Sequence, residues 1–144
     1  MTMRHTVMIG TLALALVASA GSAWAQVAEY KVVGDGIPQS LTGKPGDAQR
    51  GRALLVKRGA ANCLTCHSIK DKDMQPGGNR GPALDGVGAA LTPAQLRLSV
   101  VDFSRVTRGS AMPSFHKSGV GQGAAPALSA DQVEDVVAYL TSLK

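Results

Sequence analysis

Apolar positions in the last third of the chain recur at the three- and four-residue spacing of a helix with one buried face. Val133, Val136, Val137, Leu140 and Leu143 line that face. Ser129 and Gln132 form a capping box in front of it, and Leu128 pairs with Val133 as a hydrophobic staple. A second helix opens in the same way, with Thr92 and Gln95 as the box and Leu91 and Leu96 as the staple. Pro93 takes its first position, where a missing N–H is tolerated. Leu96, Val100 and Phe103 are the predicted stripe. Leu96, Leu98 and Val100 also alternate as in a strand, but the caps decide for helix. Asp47 can cap a third helix running to about Arg58, with Ala48, Gly51 and Leu55 on one face and Gly59 at its end. A glycine inside a helix costs up to ~1 kcal/mol against alanine, so Gly51 predicts a close crossing, placed near Tyr139 and Leu140.

The remaining stretches are irregular. Gln26 to Gly46 holds four glycines and two prolines and reads as an extended arm. Its composition favours disorder in the free chain. Its apolar residues, Tyr30, Val32, Val33, Ile37 and Leu41, favour packing on a partner. Ser68 to Arg80 reads as a polar loop, and Ser118 to Ala127 as a surface loop.

The first residues suggest export. Arg4 precedes a nearly continuous apolar run from Val7 to Ala20, and Ala23-Trp24-Ala25 offers a cleavage site. The run is short for a membrane span. A signal peptide over 1–25 is therefore expected, with an uncleaved anchor as the alternative. The expected compartment is a bacterial periplasm. Without the leader, fourteen Lys and Arg face ten Asp and Glu, a net of +4. No basic run with interleaved aromatics is present, so nucleic-acid binding is not expected. Only Tyr30, Phe103, Phe115 and Tyr139 remain as aromatics, which suits a core filled partly by a cofactor.

The candidate chemistry sits in Cys63-Leu64-Thr65-Cys66-His67. C-x-x-C-H is the attachment run of a c-type haem: each thiol adds across a vinyl group, and the next histidine becomes the proximal iron ligand. One covalent haem is expected. The same run could be a thioredoxin-like pair, part of a zinc site or a structural disulfide. A proximal histidine needs an acceptor for its other ring N–H, and the Pro82 carbonyl in Gly81-Pro82 is a candidate. An ordinary Gly-Pro turn is the plain alternative. For a second iron ligand the candidates are Met112, Met74 and His116. Met112 lies 45 residues beyond His67, enough chain to wrap a haem, and is preferred. His116 is expected to be a solvated surface residue beside Lys117.

From Asp47 to Lys144 the chain resembles a class I cytochrome c. The resemblance rests on the N-terminal helix, Cys63–His67, Gly81-Pro82, the middle helix, Met112-Pro113 and the last helix with Ala138-Tyr139-Leu140. IPQSLTGKPGDAQRGR from Ile37, GPALDGVG from Gly81, QLRLSVVD from Gln95 and MPSF from Met112 resemble one branch, the monohaem SoxX subunits of periplasmic SoxAX cytochromes. The resemblance implies an all-α class I cytochrome c fold over 47–144, preceded by the 26–46 arm. It implies Cys63, Cys66, His67, Met112 and Pro82 as the cofactor-binding residues, with His67 and Met112 on iron. It further implies a heterodimer with a SoxA-type cytochrome, along which the arm would pack. In that family thiosulfate is coupled oxidatively to a cysteine of the SoxYZ carrier, and a small cytochrome c accepts the electrons. Catalytic residues are then expected on the SoxA-type partner and none on this chain. The alternative is a free-standing electron carrier.

Overall fold

The computed structural model describes residues 27–57, 61–117 and 126–144. Among these residues the fold is all-α. It comprises α1 (Ala48–Val56), α2 (Val87–Ala90), α3 (Pro93–Val101) and α4 (Ala130–Ser142), with 3-10 turns at Cys63–Thr65 and Phe103–Arg105. The predicted caps are all in place. The Asp47 carboxylate accepts the Arg50 N–H at 2.8 Å. Both capping boxes close, Thr92 with Gln95 and Ser129 with Gln132. α1 stops at Val56, short of Arg58, and Gly59 lies outside the described residues.

The core forms where α4 meets α1 and α3. Leu55, Leu96, Val101, Leu128, Val133 and Val136 are almost wholly buried there. Burial of each such side chain contributes about 1.5–3 kcal/mol. Gly51 sets the closeness of the α1–α4 crossing. A Cβ on it would collide with the Asp135 carbonyl and stand 3.0 Å from the Tyr139 Cβ. Phe103, predicted for the α3 stripe, is only half-buried, while Leu98 and Arg97 are buried. α3 is therefore covered on more than one face, which explains why its apolar pattern carried two periods.

The second cover on α3 is the arm, which is ordered from residue 27 onward and packs on its own domain, and this corrects the expectation of disorder. The Ile37 N–H donates to the Ala94 carbonyl at 2.9 Å, and the Ile37 side chain is 1% exposed. Arg97 donates to the Ile37 carbonyl at 2.6 Å and forms a buried pair with Glu134, at 2.8 and 2.9 Å. Glu134 also accepts the Leu41 N–H at 2.9 Å. A buried ion pair costs desolvation, and extra hydrogen bonds such as these offset that cost. Of the apolar residues that suggested a partner, Ile37 is buried and Tyr30, Val32 and Leu41 pack partly against the core, while Val33 stays 55% exposed. Residue 26 lies outside the described part, as do the leader and most of the predicted 118–127 loop.

Candidate haem site

Cys63, Leu64 and Thr65 make a 3-10 turn entered through Asn62, whose φ is 42°. The Cys66 and His67 N–H groups both donate to the Cys63 carbonyl, at 3.1 and 3.0 Å. The turn gathers the two cysteines and the histidine, since residues three and four apart on a helical turn are neighbours. Leu64 anchors the turn in the core. Both cysteines are half-buried and free. Burial pushes the Cys63 thiol up to about 11. A redox-active thiol pair needs the opposite shift, so the thioredoxin-like alternative loses ground.

The His67 imidazole is fixed by the chain that returns beside it. His67 Nδ1 lies 2.7 Å from the Pro82 carbonyl oxygen. A carbonyl only accepts, so Nδ1 carries the proton and Nε2 keeps its lone pair free for a metal. Gly81 lies against the ring. A Cβ on it would stand 2.5 Å from His67 Cε1 and 2.7 Å from Nδ1. Backbone hydrogen bonds hold the two segments together: Gly78 N–H to the Leu64 carbonyl, Gly81 N–H to Cys66 and Leu84 N–H to Ser68, each at 2.9 Å. Farther along, Asp71 accepts a two-pronged contact from Arg52 of α1, at 2.7 and 2.8 Å. The Arg52 hydrogen bonds hold the Asp71 carboxyl down at about 2. The Tyr139 hydroxyl donates weakly to Asp71 at 3.4 Å.

Cys63, Cys66, His67 and Pro82 thus form one unit. Met112 comes from a different loop. It is half-buried against the core, and its N–H donates to the Ser110 hydroxyl at 3.1 Å. No hydrogen bond among the described residues ties it to the His67 unit. Met74 is also half-buried against the core.

His116 departs from the expectation. It is fully buried rather than solvated. Its Nδ1 donates to the Leu128 carbonyl at 2.7 Å, and its Nε2 accepts the Ala28 N–H at 3.0 Å. With both nitrogens engaged, it ligates a metal only if those bonds break. No three His, Cys, Asp or Glu side chains among the described residues are grouped to hold a metal ion. The closed zinc site therefore has no fourth member here.

Sequence reasoning missed the buried charges Arg97, Glu134 and Asp102. Each sits at a position that a helical or loop pattern assigns to solvent; Arg97 and Glu134 bury each other across 37 residues, whereas Asp102 is enclosed by Ser104 and Arg105 beside it and by Ser114 and Lys117 farther on. The donor set at Cys63–His67 fits a covalent haem: two unpaired thiols, an imidazole with its outer nitrogen free, and a glycine against the ring.

These features define a c-type cytochrome, and a family model described as cytochrome c matches residues 48–144, so the chain belongs to the cytochrome c family. Membership implies covalently bound haem c. A search of curated proteins gives no match. Among solved structures, a chain in the crystal structure of SoxXA from P. pantotrophus is 35% identical, with a TM-score of 0.76. The alignment covers 84% of this chain and 98% of that one. Within its family the protein is a SoxX-type cytochrome.

Proposed function

We propose that this chain is the electron-transfer subunit of a periplasmic SoxAX-type enzyme, processed after Ala25 and paired with a SoxA-type cytochrome. Cys63 and Cys66 would hold one haem by thioethers, His67 Nε2 would bind its iron, and Met112 would supply the second protein ligand. The haem supplies a reversible one-electron couple. The protein's residues keep that couple in place. The Pro82 carbonyl fixes the His67 tautomer and raises the basicity of Nε2. Gly81, having no side chain, lets the backbone lie directly against the imidazole. Two protein ligands, His67 and Met112, would leave no place on the iron for a substrate, which suits electron transfer. The reaction served is oxidative coupling of thiosulfate to the SoxYZ carrier cysteine, with catalytic residues on the SoxA-type partner. The electrons then pass to a small cytochrome c. The observation that carries the electron-transfer reading is the His67 imidazole held by Pro82 with Nε2 free. The likeness to the SoxXA structure supports the choice of partner.

The test is purification of the exported protein from its own cells. Acid–organic extraction should leave the colour on the chain, its mass should rise by one haem, and a second cytochrome should co-purify stoichiometrically. Extractable colour would end the covalent reading. A chain that purifies alone, at any salt, would point to the free-standing carrier.

A further inference from the structure

Asp102, the most deeply buried carboxylate among the described residues, has no part in the haem site described so far. Asp102 is 0% exposed and caps the C-terminal end of α3, with its N–H on the Leu98 carbonyl at 2.9 Å. Oδ1 accepts the Ser104 hydroxyl, and also the Ser114 hydroxyl at 2.9 Å. Oδ2 has no aligned hydrogen bond and instead faces the Lys117 ammonium at 3.2 Å and the Arg105 guanidinium at 3.4 Å. These four partners lie at the two ends of one loop. Ser104 and Arg105 begin it, Ser114 and Lys117 close it, and Met112 lies between them. The loop's return is also pinned by Phe115 N–H on the Val100 carbonyl at 3.1 Å.

We infer that Asp102 is a positioning residue for Met112, cinching both ends of the 103–117 loop so that the methionine sulfur is presented in one place. This rests on the reading that Met112 is the second axial ligand. A surface ion pair contributes little to such a task, because solvent screens it. A buried carboxylate stripped of solvent must keep its partners, since losing one leaves an uncompensated buried charge. Burial pushes the Asp102 carboxyl up, and the Ser104, Ser114 and Lys117 contacts overcome that push and leave it below its ordinary value. The carboxylate therefore stays charged and keeps gripping the loop at neutral pH. Among the described residues, Met112 itself is held by one hydrogen bond, from its own N–H to the Ser110 hydroxyl at 3.1 Å.

The experiment compares Asp102→Ala, the double variant Ser104→Ala/Ser114→Ala, and Met112→Ala as holoproteins. The readouts are carbon monoxide binding in the reduced state, reduction potential and hydrogen exchange of the 103–117 amides. Met112→Ala should bind carbon monoxide readily and lose potential; if it stays closed, the ligand reading fails and this inference with it. With Met112→Ala open, Asp102→Ala should also bind carbon monoxide in most molecules, lower the potential, and speed exchange in 103–117 but not in 63–84. The double variant should show a smaller change of the same kind, and it carries the test if Asp102→Ala yields no holoprotein. Asp102→Glu should restore closure in part. If Met112→Ala opens while the other variants stay closed at wild-type potential, Asp102 only stabilises the fold and the inference is overturned.

Discussion

Around His67 the chain is fixed mainly by its own backbone; around Met112 the backbone pins of the loop's return, Phe115 on Val100 and His116 on Val101, are joined by side chains gathered on Asp102. The first region has three inter-segment backbone hydrogen bonds at 2.9 Å, a ring bonded to a proline carbonyl, and a glycine with no room for a Cβ. The second has two serine hydroxyls and two cations around a single carboxylate. Backbone clamps do not depend on side-chain identity except where a side chain would not fit. A side-chain clamp fails or changes with one substitution. The proximal side is thus built for invariance, and the loop side can be tuned residue by residue.

The largest break in that comparison should come from Gly81. Gly81→Val places branched carbon inside the His67 ring's contact distance and forces the imidazole or the 77–84 segment to move. Overpacking of this kind costs about 1–3 kcal/mol. The melting temperature of the holoprotein should fall clearly, and the spectrum of the iron ligands should change with it. An unchanged spectrum would mean that the ring is held without the help of Gly81.

A smaller effect separates the two carboxylates. Asp71 is only partly buried, and its pair with Arg52 is open to solvent screening. Its carboxyl stands at about 2 in the folded protein against an ordinary 3.8. A depressed carboxylate adds stability that is fully present above 3.8 and is lost as pH falls through about 2. Asp71→Asn should therefore melt slightly below wild type at neutral pH, with the gap closing between about pH 4 and pH 2. A gap that persists unchanged at pH 2 would show that the Arg52 contact acts through shape, not charge. Asp102 differs, because its replacement acts on a loop that carries function.

Much of this was legible in the sequence. S-x-x-Q and T-x-x-Q fix helix starts because the donor and acceptor are neighbours in the chain. Gly51 signalled a crossing because its cost within the helix had to be offset by contact elsewhere. The spacing of the Cys63–His67 run pointed to haem attachment, while leaving a thiol pair, a zinc site and a disulfide as alternatives. The arm and His116 were misread because their partners are remote: Ala28 and His116 are 88 residues apart, and Leu41 and Glu134 are 93 apart. Local composition cannot show that a polar ring has both nitrogens satisfied by distant backbone. Arg97 was hidden for the same reason, since a charged residue within a helix reads as solvent-facing until its partner is known.

The arm also sets a timetable. Its anchors, His116 and Glu134, lie far down the chain, and α1 completes its core only against α4. A chain made from its N-terminus cannot close these contacts until the last helix exists, because distant pairings must await both ends. The Cys63–Thr65 turn packs on α1, so Cys63 and Cys66 lack a settled backing until α1 docks on α4, and afterwards they lie in a half-buried turn bonded to the 77–84 segment. Thioether formation is therefore expected to be easiest before α4 docks. A chain ended at residue 129 should keep both thiols open to alkylation, whereas protection of those thiols in the shortened chain would show that the turn closes without α4.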